Sequence, residues 1–317
     1  MSSLIEQAAQ RLEQLRQAGV VIPEVETHAG AGLPAPGDRP AEPARPEPAA
    51  AAPVVQSRRV ELDFGVLAAA GIVTPSAPRS TMADQFRVIK RPLIANAVGK
   101  GAATVTHGNL IMVTSAMAGE GKTFTSVNLA MSIAAELDHT VMLVDADVAR
   151  PSVLRTLGLP PGPGLLEVLD GKAEIAETLL KTNVEKLTIL PSGTPHPKAT
   201  ELLASEAMRL LLDDMATRYP DRIIIFDSPP LLLTAESRVL ASRMGQVVVV
   251  VAAGRTAQAA AKQALETIEA CPVRLLVLNK ARLDSRAYGY GYGGGYRYSG
   301  GYGYGYGASD TKQQPEG

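Results

Sequence analysis

Residues 110–130, LIMVTSAMAGEGKTFTSVNLA, constrain the fold more than any other stretch of this chain. An apolar run of strand character enters a glycine-bearing loop, and a helical stretch follows without a break. The pattern G-x-x-x-x-G-K-[ST] between strand and helix builds a phosphate cradle, because glycine lets successive backbone N–H groups curl around oxyanions. Gly119, Glu120, Gly121, Lys122, Thr123 and Phe124 make up the loop and helix start, with Ala116 in place of the first glycine. The helix points its positive end at the phosphates, Lys122 neutralises them, and Thr123 offers its hydroxyl to Mg²⁺. A nucleoside triphosphate with Mg²⁺ is the ligand this chemistry suits.

Five further apolar runs share the strand character: VMLVDAD (141–147), LTILPSG (187–193), IIIFDSPP (223–230), VVVVVAA (247–253) and LLVLNK (275–280). Helical stretches at 123–137, 200–217 and 256–269 separate most of them. Continuous apolar strands alternating with helices predict a parallel sheet buried on both faces, hence a doubly wound α/β domain of the P-loop NTPase type. That domain is expected over residues 82–285.

In open α/β sheets, ligands gather beyond the carboxyl ends of the strands. Asp145 and Asp147 end one strand and Asp227 ends another. Asp227 has the form of a Walker B residue, which holds Mg²⁺ directly or through water. Asp145 and Asp147 sit one residue apart and repel unless a cation lies near, so they suit a metal or a base role. Asn279 ends the last strand, either as a base-edge contact or simply as its terminus. A guanine-reading motif needs an acid at position 282, where Arg282 stands, so adenine is favoured.

The flanks differ in kind. Residues 1–20 read as an amphipathic helix, with Ser3 and Glu6 at capping-box spacing and Leu4, Ile5, Ala8, Leu12 and Leu15 on one face. Residues 21–81 read as a mostly disordered Pro/Ala-rich linker, in which 54–78 could hold an extended segment and a short helix. Residues 286–317 form a tail with Tyr288, Tyr290, Tyr292, Tyr296, Tyr298, Tyr302, Tyr304 and Tyr306 among glycines, leaving Tyr219 as the one tyrosine elsewhere. Glycine spacing predicts a disordered, accessible tail that reaches about 25 Å.

Composition excludes several classes. The formal net charge is −1 and the tail supplies few cations, so nucleic acid is not an expected partner. The single cysteine, Cys271, excludes an internal disulfide framework and any iron–sulfur site, which points to the cytoplasm. No apolar run approaches the roughly 20 residues of a spanning helix.

The loop ending GEGKT, then DADVARP with Arg150 and Pro151, then DSPP, then a tyrosine-rich tail, together resemble the bacterial tyrosine kinases of polysaccharide export, in particular the autokinase group of exosortase-linked exopolysaccharide loci. The segment RPSVLRTLGLPPGPGLLEVLDGK and the helix start TELLAS are similar too. The resemblance implies an ATP-dependent, non-specific protein-tyrosine kinase that phosphorylates its own tail and regulates exopolysaccharide polymerisation and export. It implies that Lys122, Asp145, Asp147 and Asp227 serve catalysis, with Asp145 as the base, and that Thr123, Asp145 and Asp227 hold Mg²⁺. DQFRVIKRPL (84–93) is similar to the family's oligomerisation helix, with Asp84, Arg87 and Lys90 at its three charged positions, which implies a homo-oligomeric ring. A separate membrane-spanning chain-length determinant would activate the kinase and recruit it to the inner face of the cytoplasmic membrane, and a tyrosine phosphatase would reverse it.

Two other readings stay open. An ATP-dependent assembly module of the partition and cell-division-site superfamily would share the fold, although Met117 stands where that class carries a second lysine. Tyrosine–glycine repeats can also self-associate.

Overall fold

The computed structural model describes residues 57–75, 80–218 and 221–281. In chain order the elements begin with strand β1 (Arg58–Arg59), helix α1 (Phe64–Ala69), α2 (Thr81–Ala97), β2 (Leu110–Ser115) and α3 (Lys122–Ala134). They continue through β3 (Thr140–Asp145), α4 (Val153–Thr156), α5 (Leu165–Leu169), α6 (Ile175–Thr178), β4 (Leu180–Lys181) and β5 (Leu187–Leu190). The last are α7 (Ala199–Leu203), α8 (Glu206–Arg218), β6 (Arg222–Asp227), α9 (Ala235–Ala241), β7 (Gln246–Ala252), α10 (Gln258–Glu266) and β8 (Val273–Asn279).

The eight strands form one sheet in the order β1-β4-β5-β3-β6-β2-β7-β8. Every pairing is parallel except β4 with β5. The central strands are buried along nearly their whole length and apolar through their middles, because both their faces are covered. Ile111, Val113, Leu143, Ile225 and Val248 pack under α1, α2 and α3. Their alternates Met112, Met142, Phe226, Val247 and Val249 pack against the helices of the opposite layer. Period-two alternation thus distributes one apolar run between two cores.

Register decides where the chemistry falls. Val113 pairs with Asp227, and Asp145 pairs with the same Asp227, so β3, β6 and β2 end side by side. The loop after β2 therefore opens directly beside both acidic strand ends.

Three expectations change. The linker does not extend to residue 81: from Ser57 to Pro75 the chain belongs to the fold. Leu62, Leu67 and Ile72 are buried there, Asp63 caps α1, and the Asn183 side-chain amide donates to the Leu62 carbonyl (3.1 Å) and accepts from its N–H (3.0 Å). The helix expected over 200–217 is two helices, because the Ser205 hydroxyl accepts from the Met208 N–H (3.2 Å) and starts a new one. The three charged positions of α2 do not share a surface. Asp84 and Arg87 are exposed and paired with each other at 2.5 Å, whereas Lys90 is buried. Its ammonium donates to the Ser132 carbonyl (2.5 Å) and pairs with Glu136 (2.7 Å), so it anchors α2 to α3 rather than facing a neighbour.

The expected N-terminal helix, the remaining linker, Tyr219 and the tyrosine tail lie outside the described residues. Among the described residues no helix is long and apolar enough to cross a membrane.

Candidate active site

The loop between β2 and α3 needs its glycines. Gly119 and Gly121 have φ of 79° and 102°, in the left-handed region. A Cβ on Gly121 would stand 2.1 Å from the Asn279 side-chain nitrogen. That contact is part of a clamp from the end of β8. The Asn279 amide donates to the Glu120 carbonyl (2.9 Å), and the Lys280 ammonium donates to the Gly119 carbonyl (2.6 Å). Asn279 thus holds the loop backbone, a role the sequence did not single out. Glu120 is buried, accepts from the Met117 N–H (2.8 Å) and from the Thr256 hydroxyl, and so closes the loop from the inside.

Four of the expected residues converge at the start of α3. The Lys122 ammonium lies 3.3 Å from Asp147, both nearly buried. The Thr123 hydroxyl donates to Asp227 (2.6 Å). Ser126, one turn further along α3, donates to the other oxygen of Asp227 (3.0 Å), and Ser152 sits 2.7 Å from the Thr123 hydroxyl. Neither serine was singled out in the sequence: the packing of α3 on β6 brings in Ser126, and the turn between β3 and α4 brings in Ser152. Asp145 is held by the N–H groups of Ser152 (3.0 Å) and Val153 (2.9 Å) through one oxygen. Its other oxygen is buried without a partner.

Burial, followed by the neighbouring Asp227 charge, pushes the Asp145 carboxyl up to about 7. Burial also raises Asp227, to about 6, against the opposing bonds from Thr123 and Ser126 and the Lys122 charge. In the ligand-free protein these groups bind protons on folding that the unfolded chain, with carboxylates near 3.8, releases. Their contribution to stability is greatest at low pH and declines as pH rises through the window from about 4 to 7. Calorimetry in EDTA should show this site's contribution as a fall in Tm between pH 5.5 and 7.5. Asp145→Asn should flatten that slope.

A cation reverses this penalty, and the donors fit one. The orphaned Asp145 oxygen, the Asp227 carboxylate and the Thr123 hydroxyl are all hard oxygen ligands. Among the described residues no three His, Cys, Asp or Glu side chains form a complete metal cage.

Two clefts flank the loop. One, of about 530 Å³, runs past Lys122, Thr123, Asp147, Arg150, Arg155 and Leu233. The other, about 520 Å³ and more apolar, is lined by Phe86, Phe124, Val277, Asn279 and Lys280. Phe124 borders both, and the carboxylate side of the site opens only into the first.

Residues 108–280 match a family model described as an AAA domain. The chain is 32% identical over 221 residues to the tyrosine-protein kinase YwqD of Bacillus subtilis (strain 168), covering 69% of this chain and 90% of that one. It is also 32% identical over 187 residues to the tyrosine-protein kinase CpsD of Streptococcus agalactiae, covering 58% of this chain and 80% of that one. Among solved structures, the chimerical protein CapA2B2 superposes with a TM-score of 0.58 at 27% identity, over 73% of this chain and 95% of that one. The VpsO kinase domain does so at 0.51 and 27%, over 64% and 100%.

Proposed function

This chain belongs to the bacterial tyrosine kinase family, and from that premise we propose that it is an ATP-dependent protein-tyrosine autokinase whose acceptors are its own tail tyrosines. The observation that carries the reading is the convergence of Lys122, Thr123, Asp145, Asp147 and Asp227 on one loop and three adjacent strand ends. ATP is the donor, with its phosphates on Gly119, Glu120, Gly121, Lys122 and Thr123 and its base toward Phe124 and Asn279. Thr123, Asp145 and Asp227 would hold Mg²⁺, which would supply charge neutralisation at the phosphates.

Most of the rate then comes from alignment and charge, not from a base. Lys122 moves its charge from Asp147 to the phosphates. Of the two carboxylates after β3, Asp145 is assigned the proton, because Asp147 is engaged by Lys122 and by the Arg150 N–H (3.2 Å). Asp145→Asn is expected to lower the autophosphorylation rate by about 10² to 10⁴-fold. Asp147→Asn should cost less in rate and more in ATP affinity. Single-turnover kinetics at varied ATP separates the two.

We further propose that the kinase forms a homo-oligomeric ring. Asp84 and Arg87 remain on the exposed side of α2 for that contact, without Lys90. A membrane-spanning activator recruits it to the inner face of the cytoplasmic membrane, and the cycle of phosphorylation and phosphatase action regulates exopolysaccharide polymerisation and export. The family resemblance supports these steps, and co-purification with a membrane protein tests them.

The kinase reading is tested by incubating the full chain with Mg-ATP and its co-purified activator, then measuring intact mass. Stepwise gain of phosphate on tyrosine is the expected result. ATP turnover with no phosphotyrosine would favour the assembly ATPase instead.

A further inference from the structure

We propose that Arg150 and Arg155 form a phosphotyrosine-binding subsite beside the transfer centre, so that each phosphate added to the tail promotes the next. The proposal rests on the autokinase reading and adds to it a recognition element for the product.

Both arginines follow Asp147 closely: Arg150 in the turn after β3, and Arg155 in α4. Both are exposed and line the same cleft as Lys122, Thr123 and Asp147. Neither guanidinium has an ion-pair or hydrogen-bond partner among the described residues, whereas Arg87, Arg209 and Arg218 on the helices are each paired with a neighbouring carboxylate. Lys122 and the helix start already serve the nucleotide phosphates, so these two charges are surplus to one triphosphate. A guanidinium binds a phosphate monoester through two parallel N–H donors, a geometry that a hydroxyl does not satisfy. The facing wall is apolar, formed by Pro229, Pro230 and the half-exposed Leu233, and suits an aromatic ring.

The tail sequence matches such a site. Its tyrosines fall as Tyr288, Tyr290 and Tyr292, then Tyr296 and Tyr298, then Tyr302, Tyr304 and Tyr306. Within each group the spacing is always two residues, about 7 Å in extended chain. That step is short enough for one cleft to hold a modified tyrosine and its unmodified neighbour. In each transfer the tyrosine oxygen bonds to the γ phosphorus while the bond from that phosphorus to the β–γ bridging oxygen breaks. ADP leaves, and the phenolic proton passes to a carboxylate or to water. The product carries about −1.5 to −2 charges, which the arginines bind, and the next tyrosine enters.

The test uses the full chain with Mg-ATP and two tails in which only a pair of tyrosines remains, the others being Phe. One keeps Tyr304 and Tyr306; the other keeps Tyr288 and Tyr306. Time-resolved intact mass gives the ratio of second-phosphate to first-phosphate rate. The close pair should show a ratio about tenfold higher, the worth of one charge-assisted hydrogen bond. Arg150→Ala with Arg155→Ala should reduce that ratio to the value of the separated pair, and Arg155→Lys on its own should leave it in between. Equal ratios for the two tails overturn the proposal. So does a parallel loss of first phosphate and ATP binding in the double variant, which would assign the arginines to the nucleotide. No phosphotyrosine on either tail, with ATP binding intact, overturns the autokinase reading itself and the proposal with it.

Discussion

Lys122→Met is expected to abolish phosphotyrosine formation and ATP turnover together, with a rate loss on the order of 10³ or more. The side chain is nearly buried at the start of α3, and its ammonium contacts Asp147 at 3.3 Å. Among the described residues, Arg150 and Arg155 line the same cleft but stand outside that helix, and Lys280 is committed to the Gly119 carbonyl. Methionine preserves length and packing but removes the charge that pairs with Asp147 and favours the ionised form of Asp227. Asp147 is then left nearly buried and unpaired beside Asp145 and Asp227, which costs about 3–5 kcal/mol if it stays ionised. The variant should therefore melt at a lower temperature above pH 7, and less so near pH 5, where the carboxylates take up protons. Circular dichroism with a nucleotide-binding titration separates the two effects. A folded variant that still makes phosphotyrosine at a rate near the wild type would remove Lys122 from the mechanism.

The parts of this site that were legible in the sequence are those in which one short segment contains its own reason. Gly119, Gly121, Lys122 and Thr123 belong to one loop, and each needs its neighbours to make chemical sense. Asp145, Asp147 and Asp227 were visible because carboxylates at the carboxyl end of mostly apolar strands stand where α/β sheets bind ligands. The central sheet was visible for a related reason: strands covered on both faces lose polar alternation, and Val247–Val251 has no other explanation. What escaped depends on pairs far apart in the chain. Ser126 meets Asp227 across 101 residues, and Thr256 meets Glu120 across 136. A serine within a helix gives no local sign of such a partner. Lys90 escaped for the opposite reason. Its pattern is that of a charged surface position, but α2 crosses α3 where the Ser132 carbonyl and Glu136 can receive an ammonium. The β1 edge was legible only as an extended segment within 54–78, because Arg58 and Arg59 are exposed and bring no apolar signal; the pairing with Leu180 and Lys181 marks them as a strand.

Replacing all eight tail tyrosines with Phe is expected to remove nearly all autophosphorylation while leaving ATP binding unchanged. The reasoning starts from numbers of acceptors: the chain has nine tyrosines, and the substitution leaves only Tyr219. Tyr219 itself lies outside the described residues; in the sequence it falls between α8, which ends at Arg218, and β6, which begins at Arg222. The transfer centre lies at the carboxyl end, where Asp227 terminates β6. The substitution touches none of the residues that hold the phosphate loop, so nucleotide affinity has no physical reason to change. Phenylalanine keeps ring area and glycine spacing and deletes only the hydroxyl, which makes the comparison one of chemistry rather than of tail composition. The charge consequence is large: eight phosphates would add about −12 to −16 to a chain with a formal net charge of −1. Native electrophoresis should therefore resolve the wild type into a ladder after Mg-ATP treatment and leave the variant as a single band. Substantial phosphate on Tyr219, or anywhere outside residues 286–317, would place the acceptor elsewhere and remove the tail from its role as substrate.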